Sequence, residues 1–342
     1  MDRIESVDFF RLLAIIAVIS IHTHAYGQAM TAETYHTYNL VIFVDQFARF
    51  AVPFFFTISG YFWGVKARKT GAPLEVSLFM AKRIFFIFFV WSIFYLLPLG
   101  DFQNFANGPF QLVKEMYWNA LKLASDPLTL IMQGTKIHLW FLVGLLWSVA
   151  ISSILVKYNR IRILIVLSIA LYATGLLAKS YSFTPFGIHV DFNTRNGPFF
   201  GTIFFVSGYV LSSLKPDETW LAKGLIVMGV GYVMHFTELY VIWRHYGQSP
   251  FQDYVIGTYF MGIGAAMASL SNHRLFRFEL LGKIGQLTLG IYVIHLAFAD
   301  MLRQYFKTEH LNWGLYFLAV WILSLTTVMI LSLNRFSRKL VI

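Results

Sequence analysis

The segment Asp8-Phe-Phe-Arg11-Leu-Leu-Ala-Ile-Ile-Ala-Val-Ile-Ser-Ile-His22 decides the fold class of this chain. Ten residues separate Arg11 from His22, and Ser20 is the one polar residue among them. A helix that crosses a bilayer needs about 20 predominantly apolar residues. The run around this segment therefore predicts a membrane-spanning helix over residues 9–26 that carries ionisable side chains at a high energetic cost.

The composition extends this prediction to the whole chain of 342 residues. Charged residues make up 13% of it and hydrophobic residues 57%, with a mean hydropathy of +0.62. A soluble domain carries about a quarter charged residues. We predict an all-α, polytopic membrane helix bundle of about ten transmembrane helices, forming a single integral membrane domain over residues 1–342. The predicted spans are residues 9–26, 40–64, 79–98, 138–156, 161–178, 198–213, 221–241, 254–270, 284–304 and 313–333.

The cations between these spans predict the orientation. One set of connections holds short clusters of lysine and arginine, and the alternate set is longer and poorer in cations. By the positive-inside rule both termini are then cytoplasmic. The same rule explains the net charge of +10 without a nucleic-acid partner. The cation-rich connections hold Lys66, Arg68, Lys69, Lys82, Arg83, Lys157, Arg160, Arg162, Lys215, Arg274, Arg277, Lys283, Arg335, Arg338 and Lys339.

The connection over residues 99–137 is the largest piece predicted outside the membrane. Phe110, Val113, Tyr117 and Leu121 recur in it at helical spacing. This pattern predicts a helix near 110–124 that lies on the outer surface.

The first predicted helix places Arg11 and His22 on one stripe. Eleven steps of about 100° return to nearly the same face, with a rise of roughly 16 Å. Asp8 lies one turn before Arg11 and is spaced to pair with it. A snorkelling Arg11 and a packing His22 are the structural alternatives. His24 points away from His22 and is expected at the interface.

Further polar residues lie inside other predicted spans. Asp45 and Arg49 form an i,i+4 pair in the second span, which Pro53 should interrupt and which Ser59-Gly60 allows to pack closely. His138 opens the fourth span. His295 lies in the ninth, and His235 and Glu238 lie one turn apart in the seventh. A hydrogen-bonded structural role remains an alternative for each of them.

Several classes of site have no support in the sequence. There is no cysteine, so disulfides, thiolate metal ligands and a cysteine nucleophile are excluded. Nucleotide-binding glycine loops, zinc-protease motifs and serine-hydrolase motifs are absent. The sequence predicts no metal site.

The sequence resembles the acyltransferase-3 family of integral membrane acyltransferases, including O-acetyltransferases of bacterial surface polysaccharides. The resemblance covers nearly the whole chain, in its short form without an attached hydrolase-like domain. The matching motifs are Asp8-x-x-Arg11-(x10)-His22, Arg49-Phe-Ala-Val-Pro-Phe-Phe-Phe-x-x-Ser59-Gly60-Tyr61, Lys82-Arg83-Ile84, His138-Leu-Trp140-Phe141, Phe204-Phe-x-x-Gly208-Tyr209 and Gly290-Ile-Tyr292-x-x-His295.

The resemblance implies O-acyl transfer, in the cytoplasmic (inner) membrane, from acetyl-CoA to a hydroxyl of an extracytoplasmic or lipid-linked glycan, without a metal. His22 is then the general base or a transient acyl carrier, Arg11 a positioning cation, and Asp8 the partner of Arg11. Where the family commonly carries two arginines three residues apart, this chain has Lys66 and Lys69. The residues assigned to the acyl-CoA are Ser59, Gly60, Lys66, Arg68, Lys69, Lys82 and Arg83. Those assigned to the acceptor are Asp45, Arg49, His138, Trp140, Arg195 and His295.

A transporter or flippase for a lipid-linked sugar or small acid is the rival hypothesis. Intramembrane histidine, aspartate and arginine with a proline-interrupted helix are also typical of a gated path. Against it, the sequence shows no pair of repeats with matching broken helices. A sensor or scaffold bundle accounts for neither the buried charges nor the cation-rich connections. The sequence names neither the acceptor nor the oligomeric state.

Overall fold

A computed structural model describes residues 3–23, 35–100, 108–306 and 312–341. In these ranges the regular structure is helical and contains no β-strand. The α-helices are α1 Glu5–Thr23, α2 Tyr35–Phe47, α3 Ala51–Thr70, α4 Pro73–Phe94, α5 Pro109–Ala124, α6 Pro127–Met132, α7 Trp140–Lys157, α8 Ile161–Leu177, α9 Pro198–Leu211, α10 Thr219–Tyr246, α11 Ile256–Leu270, α12 Glu279–Gly285, α13 Thr288–Arg303 and α14 Asn312–Leu333.

Each of the ten predicted spans contains a helix. In the described part of the chain, six helical stretches are long and apolar enough to cross a membrane, and three more are apolar but shorter. The ninth predicted span, now α13, has 16 residues and falls in neither group. An all-helical, multi-pass membrane protein is thus confirmed, while the count of ten spans and the cytoplasmic termini stay predictions. Residues 24–26 of the first predicted span, including His24, lie outside the described residues.

Proline and glycine determine where several helices begin and end. Proline opens α4, α5, α6 and α9, as expected because the first helical turn needs no proline N–H. Gly71 ends α3 with a φ of 65°, a left-handed conformation that glycine adopts without strain. Pro73 then starts α4 at once, so the cations assigned to this connection lie on the two helices beside the turn: Lys66, Arg68 and Lys69 on α3, and Lys82 and Arg83 on α4.

The predicted interruption of the second span lies just before Pro53. The turn Ala48–Phe50 is a 3₁₀ helix between α2 and α3, and Pro53 follows in the first turn of α3, where proline is tolerated. The backbone is thus irregular beside Asp45 and Arg49. Non-helical backbone at membrane depth is stable where neighbouring protein buries it.

Helices α3 and α9 approach one another closely through two glycines. A Cβ on Gly60 would lie 2.0 Å from the Phe205 carbonyl oxygen, and one on Gly208 would lie 1.9 Å from that of Thr57. Small residues at such contacts let two membrane helices approach. The motif residue Gly60 therefore serves the packing of α3 against α9.

Buried and exposed helices form two groups. The stretches that contain α1, α3 and α7 are mostly buried, whereas α4, α10 and α14 expose most of their length. The exposed faces carry large apolar side chains such as Phe85, Val233 and Ile330. In a membrane these faces contact lipid, so the polar residues of the interior helices are enclosed.

The connection between α4 and α7 contains the predicted amphipathic helix, α5. Its residues Phe110, Val113 and Tyr117 are exposed, and none of its residues is buried. A helix with an unburied apolar face is typical of the membrane interface. Residues 101–107 of the connection lie outside the described part.

Candidate functional site

Asp8 forms ion pairs with two arginines at the start of α1. Its Oδ1 lies 2.9 Å from Arg11 Nη1 and its Oδ2 lies 2.8 Å from Arg3 Nε. Asp8 is buried, while Arg11 is partly exposed. A carboxylate that accepts hydrogen bonds from both sides holds Arg11 in one orientation. The predicted Asp8–Arg11 pair is present.

A cavity of about 440 Å³ opens beside this ion pair. We call it the basic cavity because Arg11, Lys66 and Arg83 line it, and no acidic side chain among the described residues does. Lys66 and Arg83 are exposed, which places the mouth of the cavity at their end. The rest of the lining is mostly apolar, including Val18, Phe55, Phe62, Phe79, Ile84, Phe141, Leu142 and Tyr292. Such a cavity suits a ligand with an anionic end and a long, mostly neutral arm.

The predicted donor-binding cations divide into two groups. Lys66 and Arg83 line the basic cavity, whereas Arg68, Lys69 and Lys82 do not. Arg68 donates to the Tyr209 carbonyl oxygen at 3.1 Å and stacks on the Tyr209 ring. It thus links α3 to α9. Lys69 and Lys82 are exposed.

Ser59 and Gly60 of the matching block face different surroundings. Ser59 lines the basic cavity. Gly60 contacts the α9 backbone instead, so its position supports packing and gives it no contact with a ligand in that cavity.

Three histidines from distant parts of the chain meet inside the bundle. The ring centroids of His22 and His295 are 5.2 Å apart, and those of His138 and His295 are 5.3 Å apart. His22 belongs to α1, His138 to the 3₁₀ turn Ile137–Leu139, and His295 to α13. We call these three residues the histidine cluster. Each was a candidate by itself in the sequence, but their contact was not predicted.

Two tyrosines connect the histidine cluster to two different cavities. Tyr292 lines the basic cavity and its ring centroid is 5.4 Å from that of His138. Tyr95 lies 5.0 Å from the same ring and lines a second cavity of about 570 Å³. We call this second one the loop cavity; the polar residues that line it are Asn119, Lys122, Ser125, Asp126, Thr129, Thr135, Lys136 and Asp300. The histidine cluster therefore lies between the two cavities.

A second charged group surrounds Asp253, which the sequence analysis missed. Asp253 pairs with Arg49 and Arg195 at 3.1 Å each and with Lys179 at 2.9 Å. Asp45 pairs with Arg49 at 2.7 Å. We call these five residues the Asp253 network. It brings together three predicted acceptor-side residues, Asp45, Arg49 and Arg195, and Arg195 also stacks on a fourth, Trp140, at 5.1 Å.

The cations of the Asp253 network control the charge of Asp253. Burial by itself would raise the pKa of this carboxyl group, but Arg195, Arg49 and Lys179 outweigh burial and hold the pKa well below its usual range. Asp253 is therefore an anion at neutral pH. No local pattern in the sequence points to it, because Arg49 comes from the 3₁₀ turn after α2, and Lys179 and Arg195 come from the connection between α8 and α9.

His235 and Glu238 have structural partners. The Nε2 of His235 lies 3.0 Å from Gln46 Oε1, and its Nδ1 lies 3.1 Å from Thr258 Oγ1. Glu238 accepts hydrogen bonds from the Ile256 and Gly257 amides at the start of α11, where a negative charge is favoured. The structural alternative is thus the one that the contacts support.

No group of three or more potential metal-ligating side chains has a geometry that could hold a metal ion in the described ranges. An imidazole of the histidine cluster can accept or donate a proton or carry an acyl group. Of the histidine cluster, His22 lies on the same helix as Arg11, which lines the basic cavity.

The chain is similar to a known protein family and, over part of its length, to two curated proteins. A family model described as "Acyltransferase domain" matches residues 4–333. Two proteins of Enterococcus faecalis, each named amino-acid racemase, match parts of the chain. One is 30% identical over 230 residues, which are 62% of this chain and 28% of the relative. The other is 26% identical over 222 residues, which are 60% of this chain and 29% of the relative. The matched region is thus less than a third of either relative. No solved structure matches the chain.

Proposed function

The chain belongs to the acyltransferase-3 family of membrane acyltransferases, and we propose that it moves an acetyl group from acetyl-CoA to a hydroxyl of an extracytoplasmic or lipid-linked glycan. The observation that carries this proposal is the basic cavity. It has cations at its mouth, apolar walls, and Tyr292 of its lining in contact with His138 of the histidine cluster.

Charge and shape support coenzyme A as the donor. Its phosphates match Lys66 and Arg83, which lie in the cation-rich connection predicted to be cytoplasmic. Its long neutral arm matches the apolar walls. A donor bound in this way passes Arg11 and directs its thioester towards the histidine cluster. Arg11, oriented by Asp8, is placed to steady the donor along this path.

His22 is the proposed base of the reaction. The acceptor hydroxyl oxygen attacks the thioester carbonyl carbon while its proton moves to the neutral imidazole of His22. The carbon–sulfur bond breaks, and His22 passes the proton to the departing thiolate to form coenzyme A.

The acceptor is proposed to enter from the loop cavity. This cavity lies on the side of Tyr95 and is lined by hydroxyl, amide and charged side chains, the groups that bind saccharides by hydrogen bonds. Donor and acceptor thus approach the histidine cluster from different cavities. The Asp253 network joins the end of α2, the connection after α8 and the segment before α11 by ion pairs.

Transport of a lipid-linked sugar or small acid is the second candidate. Two cavities separated by buried polar residues are also what a gated path contains. The racemase activity named for the two relatives is not proposed for this chain, because the matched region covers less than a third of each of them.

The test uses purified protein in detergent. Acyl transfer predicts that coenzyme A alone raises the temperature of unfolding and that acetyl-CoA with an acceptor glycan releases free coenzyme A. A protein stabilised by sugar and unaffected by coenzyme A, with no thiol release, would instead support transport.

A further inference from the structure

His138 and His295 are buried histidines whose orientations are set by the backbone of α13. Their side chains are 1% and 0% exposed. The Nε2 of His138 lies 3.2 Å from the Val293 carbonyl oxygen, and the Nδ1 of His295 lies 2.6 Å from that of Tyr292. Both contacts use carbonyls of one helical turn.

These contacts define the tautomer of each ring. A carbonyl oxygen can only accept a hydrogen bond, so Nε2 of His138 and Nδ1 of His295 carry the proton. In a neutral imidazole the second nitrogen is then a hydrogen-bond acceptor. Neutral rings are expected because a charge here would be removed from water beside other imidazoles.

The two acceptor nitrogens are unpaired. Within the described residues, neither Nδ1 of His138 nor Nε2 of His295 has a hydrogen-bond partner. A buried polar atom without a partner costs free energy and is rare enough to need an explanation. A ligand that donates two hydrogen bonds would remove this cost.

We propose that His138 and His295 bind hydroxyl groups adjacent to the one that is acylated, so that the acceptor must be a polyol with neighbouring hydroxyls. This inference rests on the proposed acyl transfer. The His22 ring contacts the His295 ring at 5.2 Å. The His295 ring in turn contacts the His138 ring at 5.3 Å, so the hydroxyls that follow one bound at His22 would meet His295 first and His138 beyond it. An anionic acceptor group lacks the donors that these nitrogens need.

The route from the loop cavity supports a hydroxylated ligand. Thr135 lines that cavity with a buried Oγ1 that also has no partner within the described ranges. Tyr95 separates the cavity from the His138 ring at 5.0 Å. A polyol would thus meet hydrogen-bonding groups along the path as well as at its end.

The test compares acceptors that differ by one hydroxyl. Methyl hexopyranosides and their monodeoxy counterparts are offered with acetyl-CoA to the full-length protein, and kcat/KM is measured for each. His295→Asn keeps an amide N–H for the Tyr292 carbonyl and removes the acceptor nitrogen. His138→Gln does the same towards Val293. His245→Asn, at an exposed histidine of α10, is the matched control, and thermal unfolding verifies that each variant is folded.

The proposal expects the wild-type protein and His245→Asn to prefer the sugar over at least one monodeoxy analogue by about 10- to 100-fold, from the unpaired acceptor left behind. In His295→Asn or His138→Gln this preference falls to a few-fold. Equal use of sugar and all deoxy analogues by an active wild-type protein overturns this inference alone, as does an unchanged preference in both folded variants. Absence of acetyl transfer from acetyl-CoA to every sugar overturns the proposed function together with it.

Discussion

Asp8 is a single residue on which the geometry at the start of α1, beside the basic cavity, depends. It pairs with Arg3 and Arg11 at once, so its negative charge offsets two cations. Arg11, which the sequence places on one stripe of the first helix with His22, is therefore held in a fixed position, because it has an anionic partner within hydrogen-bond distance. Without that partner Arg11 is free to move towards the surface.

Asp8→Asn should lower kcat/KM for acetyl-CoA by about 10- to 100-fold, the value of one charge-assisted hydrogen bond. The neutral amide no longer holds Arg11 in place. Steady-state release of coenzyme A measures the effect. Glu279→Gln is the control, since Glu279 forms an exposed pair with Lys283. Wild-type activity in Asp8→Asn would show that the ion pair has no part in catalysis.

Asp253 compensates three cations, and its replacement should reduce stability. Asp253→Asn removes the negative charge that Arg49, Arg195 and Lys179 share, which should lower the free energy of unfolding by about 3 kcal/mol. Because the folded protein lowers the pKa of Asp253, its contribution is complete above the ordinary carboxyl pKa. It is lost only as the pH falls through the lower, folded-state pKa.

Thermal unfolding of wild-type protein and Asp253→Asn from pH 7 to pH 3 measures this contribution. The difference between them should persist down to a pH of about 4 and shrink below it. Asp191→Asn, at an exposed residue, should match the wild type throughout. A difference that is absent at pH 7, or that closes between pH 7 and pH 5, contradicts the role given to Asp253.

At the scale of secondary-structure elements, α3 contributes both to the wall of the basic cavity and to the packing against α9. One face carries Ser59 and Lys66 into the basic cavity. On another face, Gly60 lets α9 approach closely, and Arg68 reaches Tyr209 of α9. A displacement of α3 from α9 would therefore also shift the cavity wall.

Gly60→Ala tests this coupling. The added Cβ would lie 2.0 Å from a backbone oxygen of α9, so the two helices must separate and thermal stability should fall. Gly229→Ala in α10 is the matched control, because its Cβ meets nothing within 4 Å and alanine favours the helix by about 1 kcal/mol. Stability that changes equally in the two variants would contradict the close packing of α3 on α9.

At the scale of the whole molecule, the two cavities make the arrangement asymmetric. Arg11, Lys66 and Arg83 line the basic cavity, and no acidic side chain among the described residues does, whereas Lys136 and Asp300 form an ion pair in the loop cavity. In the proposed function, an anionic donor and an uncharged acceptor therefore approach the histidine cluster from separate cavities.

The double variant Lys66→Ala/Arg83→Ala should weaken binding of coenzyme A at least tenfold, because it removes the cations at the mouth of the basic cavity. Lys69→Ala/Lys82→Ala is the control, with the same loss of charge outside the cavity. Calorimetric titration with coenzyme A measures both. Equal weakening would mean that overall charge, and not the cavity, binds the donor.

Much of the fold was predictable because apolar spans are encoded locally. All ten predicted segments contain a helix, and the interruption before Pro53 and the amphipathic helix near 110–124 are present. The Asp8–Arg11 and Asp45–Arg49 pairs were predictable because their partners are three and four residues apart in the sequence. The histidine cluster and the Asp253 network were not, since residues such as Arg49 and Asp253 meet only through tertiary packing.

We propose that His22 is the base of acetyl transfer between the two sides of a membrane. The experiment uses sealed proteoliposomes, with radiolabelled acetyl-CoA on the side of the cation-rich connections and an acceptor glycan on the other side. We expect labelled ester on the glycan with the wild-type protein and at least a 1,000-fold lower rate with His22→Gln, roughly the contribution of a general base. Full labelling with correctly inserted His22→Gln protein would contradict it.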